Sequence, residues 1–254
     1  MKVKNILISQ PKPADLERTP YAELIRKFNI NVSFEKFIKV EGISSQDLRR
    51  SKVSFSKHTA VILTSRHAVN HYFRMAKELR FEIPDTMKYF CISESTAFYL
   101  QKYIQYRKRK IFFGKQQFTD LMDIIKKHDE ENFLVPSSDI HKQSMFQTLD
   151  KAKINYQRAI IYRTVAANLS HVDINSFDCL IFFSPAGIRS LQNNFADFKQ
   201  EDRVIGAFGH TTAKAVKDAG FKLNIPAPTQ TAPSMTMALE EFLTKQLKAA
   251  RRKR

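Results

Sequence analysis

The chain has no tryptophan, only two cysteines and only six glycines among its 254 residues. Neither of the glycine-rich phosphate-binding patterns, GxGxxG and GxxxxGK[ST], occurs, so we expect neither a Rossmann dehydrogenase nor a P-loop enzyme. Cys91 and Cys179 lie in apolar, strand-like runs, which predicts buried, reduced thiols and not a disulfide. No grouping of cysteine and histidine has the spacing of metal ligands, so we expect no metal site.

Long apolar runs and acidic residues are also scarce. No apolar run approaches the length that crosses a bilayer, and the basic start leads directly into a predicted strand. We therefore expect neither a membrane span nor a signal peptide. We expect the protein to be cytoplasmic. The net charge is +17, and basic residues concentrate at 107–110 and 245–254. Such a surface favours a polyanionic partner, such as nucleic acid, anionic lipid or a polycarboxylate.

Two short patterns occur twice, in the same order and at nearly the same spacing. Residues 61–69 are echoed by 180–188, and residues 91–97 are echoed by 207–213. Each consists of an apolar run, then small hydroxyl residues, then a helix-like stretch. This order is typical of a buried parallel strand whose carboxyl end turns directly into a helix. Because ligands bind at that edge of open α/β sheets, we expect two such edges carrying Ser and Thr.

Strand-like and helix-like segments alternate along the chain, which predicts an α/β fold with parallel sheets covered by helices. Two runs, 31–40 and 155–164, are predicted to be extended. The predicted strands are 5–9, 59–64, 88–92, 110–113, 132–135, 178–183, 203–208 and 222–225, and the predicted helices are 14–29, 44–50, 66–80, 95–105, 118–127, 141–151, 186–195, 211–219 and 234–248.

The hydroxyl residues at the predicted helix starts have two interpretations. They can be helix caps that accept a backbone N–H, or they can mark helix N-termini that bind an anion. Four such positions in a basic chain favour a ligand with several acidic groups. They are Thr64 with Ser65, Ser95 with Thr96, Ser184, and Thr211 with Thr212.

Two further side chains could take part in proton transfer. His210 could act as an acid or base, or could be an ordinary solvated side chain. Tyr162 could be an interfacial tyrosine with a wet hydroxyl, or a proton donor, since a phenol stays protonated at neutral pH. The residues alone do not choose between these interpretations.

Taken together, the motifs resemble those of uroporphyrinogen-III synthases, the ring-closing enzymes of tetrapyrrole (heme) biosynthesis. The resemblance lies in the order and spacing of short motifs and extends from Ile6 to about Leu243. The matching segments are 63–69, 161–164, 182–190, 209–215 and 228–235.

The resemblance implies a fold of two parallel-sheet α/β lobes joined by a two-stranded extended linker. One lobe would be discontinuous, formed by residues 1–38 and 166–254, and the other would be the inserted segment 42–160. The linker strands would lie near 32–41 and 156–165. We expect a monomer.

The resemblance also implies an activity. Such an enzyme is a lyase that cyclises hydroxymethylbilane, a linear tetrapyrrole polycarboxylate, to uroporphyrinogen III with loss of water and inversion of ring D. It needs no cofactor or metal. Tyr162 would be the catalytic residue. The residues implied in substrate binding are Thr64, Ser65, Ser95, Thr96, Ser184, Gly187, His210, Thr211 and Thr212.

The same resemblance bears on partners. The preceding enzyme of the pathway is a candidate partner that would hand over the substrate, whereas membrane and nucleic acid are not expected partners. Two residues depart from the family pattern: Gln10 stands where many members have Arg, and Ser93 stands where Gly is common. Ser93 fits only if its φ is negative. The alternative hypothesis is a non-catalytic two-lobed module that binds an acidic ligand or nucleic acid, motivated by the basic tail.

Overall fold

A computed structural model describes residues 3–140 and 143–252, with side chains as far as residue 249. The chain divides into two compact units. The first comprises residues 1–39 and 165–254, and the second comprises residues 40–164. Each unit is built around its own sheet.

The strands carry mostly apolar residues, and the central ones are buried along their whole length because helices cover both faces of each sheet. The strands are β1 (Asn5–Ile8), β2 (Asn31–Phe34), β3 (Ile38–Gly42), β4 (Ala60–Leu63), β5 (Lys88–Cys91), β6 (Ile111–Phe113), β7 (Phe133–Ser138), β8 (Tyr156–Ala166), β9 (Cys179–Phe182), β10 (Val204–Phe208) and β11 (Ile225–Ala227).

The helices alternate with these strands, which confirms the predicted α/β class. They are α1 (Pro20–Phe28), α2 (Ser45–Arg50), α3 (Arg66–Glu78), α4 (Glu94–Tyr99), α5 (Phe118–Ile125), α6 (Gln143–Lys151), α7 (Pro185–Asn194), α8 (His210–Asp218) and α9 (Met235–Arg252). The first two residues of the predicted helix 141–151 lie outside the described residues. Among the residues described, no helix is both long and apolar enough to cross a membrane.

The first helix corrects one prediction, because it begins at Pro20 and not at Ala14. Proline suits the first position of a helix, where its missing N–H costs no hydrogen bond, and Thr19 before it is extended. The preceding residues form a turn in which the Thr19 N–H donates to the Leu16 carbonyl. The helix ends at Asn29, which has the left-handed conformation that asparagine tolerates.

The sheet of the first unit has the order β11-β10-β9-β1-β2, and its neighbouring strands are parallel. One face packs against α1 and α9 through residues such as Leu24 and Leu239. The other face packs against α7 and α8 through Leu191 and Val216. This arrangement brings the carboxyl ends of β1, β9 and β10 to one edge of the sheet.

The sheet of the second unit has the order β3-β8-β7-β4-β5-β6, and β4, β5, β6, β7 and β8 pair in parallel. Helix α3 covers one face, where Val69, Tyr72 and Met75 are buried. Helices α5 and α6 cover the other face with Leu121 and Leu149. The carboxyl ends of β4, β5 and β7 therefore share one edge.

The segment predicted as the first linker strand is divided between the two sheets, since β2 belongs to the first and β3 to the second. The second extended run forms β8, which lies between β3 and β7. Cys91 and Cys179 are buried, unpaired thiols, as predicted. Burial raises the pKa of Cys91 to about 12, so that thiol stays protonated at neutral pH.

Candidate functional site

The edge of the second unit begins where β4 turns into α3. Ser65 is the N-cap of α3, and its hydroxyl accepts the backbone N–H of Ala68 at 3.1 Å. Thr64 precedes it and is partly exposed. The helix-cap interpretation of Ser65 therefore holds, and the cap places a hydroxyl group at the positive end of a helix of 13 residues.

The helix that follows β5 at this edge begins earlier than predicted: α4 begins at Glu94 and not at Ser95. Ser93 is the N-cap of α4, and its hydroxyl accepts the backbone N–H of Thr96 at 3.4 Å. Ser93 has φ −150°, which is extended backbone, so serine fits at this departure from the family pattern. Ser95 is exposed, whereas the buried Thr96 hydroxyl lies 3.1 Å from the Ser93 hydroxyl.

Tyr162 reaches the same edge from β8. It lies opposite Ser138 of β7, just beyond an irregularity in the pairing at Ser137. Its side chain is buried and makes a hydrogen bond with the Ser65 side chain. Burial raises the pKa of Tyr162 above its ordinary value, and the Ser65 hydrogen bond offsets only part of this effect. The phenol is therefore protonated at neutral pH and can donate a proton.

A cleft of about 800 Å³ opens beside these residues, within the second unit. It contains three of the residues predicted from the sequence and a larger number that the prediction missed. The lining residues are Thr64, Ser65, Ile92, Gln116, Gln117, Phe118, Thr119, Ser137, Ser138, Ile140, Ser144, Met145, Thr148 and Tyr162.

Some of the missed residues carried a detectable signal. Ser137 and Ser138 end β7 and follow an apolar run, which is the pattern used to identify Ser65. Gln116 and Gln117 precede α5 with no such motif. Only the register of the parallel strands β4, β5 and β6 brings them to the cleft.

The carboxylate of Asp139 lies directly after β7, at the end of the same strand that carries Ser138. Burial alone would raise its pKa. Hydrogen bonds from the Ser138 hydroxyl and from the N–H groups of Ile140 and Thr164 outweigh burial and hold the pKa of Asp139 below its usual value. This group is therefore an anion with its donors already in place, and it is a poor candidate for proton donation.

The edge of the first unit has the corresponding arrangement. Ser184 is the N-cap of α7, and its hydroxyl accepts the N–H of Gly187 at 3.3 Å. Gly187 is closely surrounded: a Cβ atom there would lie 3.2 Å from Phe182 Cδ1 and 3.7 Å from the Ser9 hydroxyl. Gln10, the other departure from the family pattern, is exposed and lies two residues after the end of β1, a neighbour of β9 in the same sheet.

The second helix of this edge has no side-chain cap. Gly209 occupies the N-cap position of α8 with φ +88°, a conformation that favours glycine. His210 and Thr211 are exposed, and Thr212 is buried. The first turn of α8 therefore presents N–H groups without a serine or threonine cap, which suits a carboxylate ligand.

The two edges are suited to hydroxyl and amide recognition of anions. Among residues 3–140 and 143–252, no group of histidine, cysteine, aspartate and glutamate could hold a metal ion. The second unit adds a buried, protonated phenol to its edge. This combination can bind carboxylates and can assist the departure of a hydroxyl group by protonating it.

A family model identifies the relationship. The model described as uroporphyrinogen-III synthase HemD matches residues 19–237, which is most of the chain. The chain belongs to the uroporphyrinogen-III synthase family. The family predicted from the sequence motifs is thus confirmed. Members of this family are enzymes. No curated protein matches this chain significantly by sequence.

A solved structure of a synthase shares the fold. The uroporphyrinogen-III synthetase from Helicobacter pylori 26695 is 17% identical, with 95% of this chain and 99% of that chain covered, and the TM-score is 0.56. A mutant uroporphyrinogen III synthase from the extremely thermophilic bacterium Thermus thermophilus is 12% identical over 96% and 99% of the chains, with a TM-score of 0.48. None of these comparisons supports the alternative of a non-catalytic binding module.

Proposed function

We propose that this member of the synthase family cyclises hydroxymethylbilane to uroporphyrinogen III, with loss of water and inversion of ring D. It is then a cyclising lyase of the cytoplasm, supplied by the enzyme that makes the linear tetrapyrrole. The observation that carries this proposal is the position of Tyr162, a buried and protonated phenol in a cleft lined by hydroxyl and amide side chains.

Tyr162 is suited to the first chemical step. The hydroxyl group of the substrate leaves as water when a proton is added to its oxygen as the C–O bond breaks, and the phenol of Tyr162 donates that proton. Inversion of ring D then requires two new C–C bonds, one from each α-carbon of ring D, while the original bond between ring D and its meso carbon breaks. The C–H bond at the free α-carbon of ring D is lost in this exchange, and the proton released restores the phenol. The net loss is one molecule of water, and no other reactant is needed.

The remaining catalysis is a matter of position. The carbon that loses the hydroxyl group becomes a reactive cation, and the enzyme must hold it so that one pyrrole carbon closes the ring and another does not. Each unit, taken by itself, has an edge with N–H donors suited to carboxylates: the start of α3 in the second unit, and the starts of α7 and α8 in the first. The high positive charge of the chain favours encounter with such a substrate.

The product isomer tests the proposal directly. Freshly generated hydroxymethylbilane closes without an enzyme to the symmetric type I ring. We expect the purified protein to yield mainly the type III isomer, measured by chromatography of the oxidised porphyrins. A type I product from folded protein would contradict the proposed activity.

Replacement of Tyr162 tests the proposed proton donor. We expect Tyr162→Phe to lower kcat about a hundredfold or more, within the range typical of general acid catalysis, while the protein remains folded. Tyr156→Phe is the matched control, because Tyr156 lies on the same strand and donates to Asp150, away from the lining of the cleft. Equal turnover by the two variants would exclude Tyr162 as the donor.

A further inference from the structure

The aromatic ring of Tyr162 is covered by a histidine that the proposed chemistry has not used. His71 of α3 stacks on it, with ring centroids 5.1 Å apart and an interplanar angle of 19°. His67, one turn earlier on the same helix, is exposed, lies farther away at 6.4 Å and is tilted by 38°. Of these two histidines, His71 therefore makes the closer and more nearly parallel contact.

Arg74 fixes the orientation and the protonation of His71. The Nε of Arg74 donates to Nδ1 of His71 at 3.2 Å. A guanidinium group has only donors, so Nδ1 must accept, and the imidazole carries its single proton on Nε2. The stacked ring is therefore neutral and is held in one tautomer.

The guanidinium group of Arg74 is itself held by several partners. It donates to the carbonyl oxygens of Ile43 at 2.9 Å and Ile161 at 3.0 Å, and it pairs with Glu78. Ile161 immediately precedes Tyr162, so the same guanidinium contacts the backbone beside the tyrosine and, through His71, the ring itself. The orientation of the phenol is thus supported on two sides.

Gly42 provides the space for this guanidinium. A Cβ atom at residue 42 would lie 2.6 Å from Cζ of Arg74 and 2.7 Å from its Nε. Side chains do not approach this closely, so any residue other than glycine would displace the group that contacts His71. Gly42 ends β3, on the far side of β8 from β7.

We infer that His71 is a positioning residue for Tyr162, held against the phenol ring by Arg74 in the space that Gly42 leaves. The inference rests on the proposed function, since it assigns a role in presenting the proton donor. It also explains why Arg74 is partly buried beside His71, although its positive charge disfavours charging of the imidazole.

The net effect of burial and of the charged groups around the pair is to keep His71 neutral and Tyr162 protonated. The pKa of His71 is lowered to about 4, by burial first and then by Arg74 and His67, against a smaller opposing effect of Glu78. The anion Asp139, directly after β7, raises the pKa of Tyr162. A neutral His71 adds no positive charge where the reaction of the substrate develops one.

Kinetics of three variants test the positioning role. We expect His71→Ala to lower kcat about tenfold or more, because small displacements of a reacting group are costly, with KM nearly unchanged. His71→Phe keeps a ring for stacking and should recover most of that loss. Lys77→Ala, an exposed change on the same helix, is the control. The inference is wrong if His71→Ala turns over within twofold of the parent, or if His71→Phe is as slow as His71→Ala.

A titration without substrate tests separately whether Arg74 holds His71 in its neutral form. The imidazole of His71, followed by NMR with the other histidines assigned, should titrate near pH 4 in the parent and closer to the ordinary histidine value in Arg74→Ala and Gly42→Ala. Unchanged titration in both variants would overturn the role of Arg74. This measurement needs no turnover, so it distinguishes failure of the support from failure of the proposed synthase activity.

Discussion

At the scale of single residues, Ser65 has two roles that can be separated. Its hydroxyl caps α3 and also bonds to Tyr162. We expect Ser65→Ala to cost about 1 kcal/mol of stability through the lost cap. It should also reduce kcat about fivefold, because the phenol becomes a weaker acid when a hydrogen bond worth about 1 kcal/mol is removed.

The cap of α2 is the matched control for this prediction. Ser44 accepts the N–H of Asp47 at 3.1 Å and is not among the residues that line the cleft. Ser44→Ala should lose similar stability by urea unfolding and keep its turnover. A Ser65→Ala protein that is as active as Ser44→Ala would show that the bond to Tyr162 has no part in the reaction.

Residues at the site were predictable where a local pattern specifies them. A hydroxyl after an apolar strand predicts a cap, and this identified Ser65 and Ser184. It failed at Ser93 because Ser95 fits the same pattern, and the end of β5 decides between them. His71 could not be predicted, since its contact with Tyr162 depends on how α3 lies across β8.

At the scale of secondary-structure elements, the end of α7 anchors two backbone segments of the first unit. The amide of Asn194 donates to the carbonyl of Ala167 at 2.9 Å, and its oxygen accepts the N–H of the buried Leu169 at 3.0 Å. The buried hydroxyl of Ser190, one turn earlier, donates to the carbonyl of Phe37. One helix thus holds the chain both before and after the second unit.

We expect Asn194→Ala to lower the free energy of unfolding by about 2 kcal/mol or more, because it removes the partners of two backbone groups. Asn193→Ala is the control: Asn193 is exposed on the same helix, and such a change typically costs within about 0.5 kcal/mol. Urea unfolding of the two variants measures the difference. Equal midpoints with equal slopes would show that the Asn194 hydrogen bonds contribute nothing net.

The order of elements was largely predictable, because buried parallel strands and amphipathic helices have distinct periods. The residues at which helices and strands begin and end were less predictable. The predicted helix over 14–29 includes residues that form a turn. The helix begins at Pro20, and this proline was the local signal for the start that the prediction did not use. The run over 31–40 was predicted only to be extended. Its division between two sheets is a tertiary effect that local sequence does not encode.

At the scale of the whole molecule, two effects should reduce stability as the pH falls. The chain already carries +17, and protonation of carboxylates increases its self-repulsion. Burial also lowers the pKa of His71 to about 4 and lowers that of His58. A histidine whose folded pKa is depressed binds its proton more readily when unfolded, so stability present above about pH 6.5 is lost as the pH falls towards 4.

Salt distinguishes these two effects. Repulsion between exposed charges is screened at high ionic strength, whereas the cost of charging a partly buried ring is screened much less. We therefore expect the unfolding temperature to fall from about pH 7 to about pH 5 even in high salt. His71→Phe should reduce that fall, because phenylalanine cannot bind a proton. If high salt abolishes the pH dependence in the parent protein, then self-repulsion alone accounts for it, and the depressed histidines contribute nothing measurable.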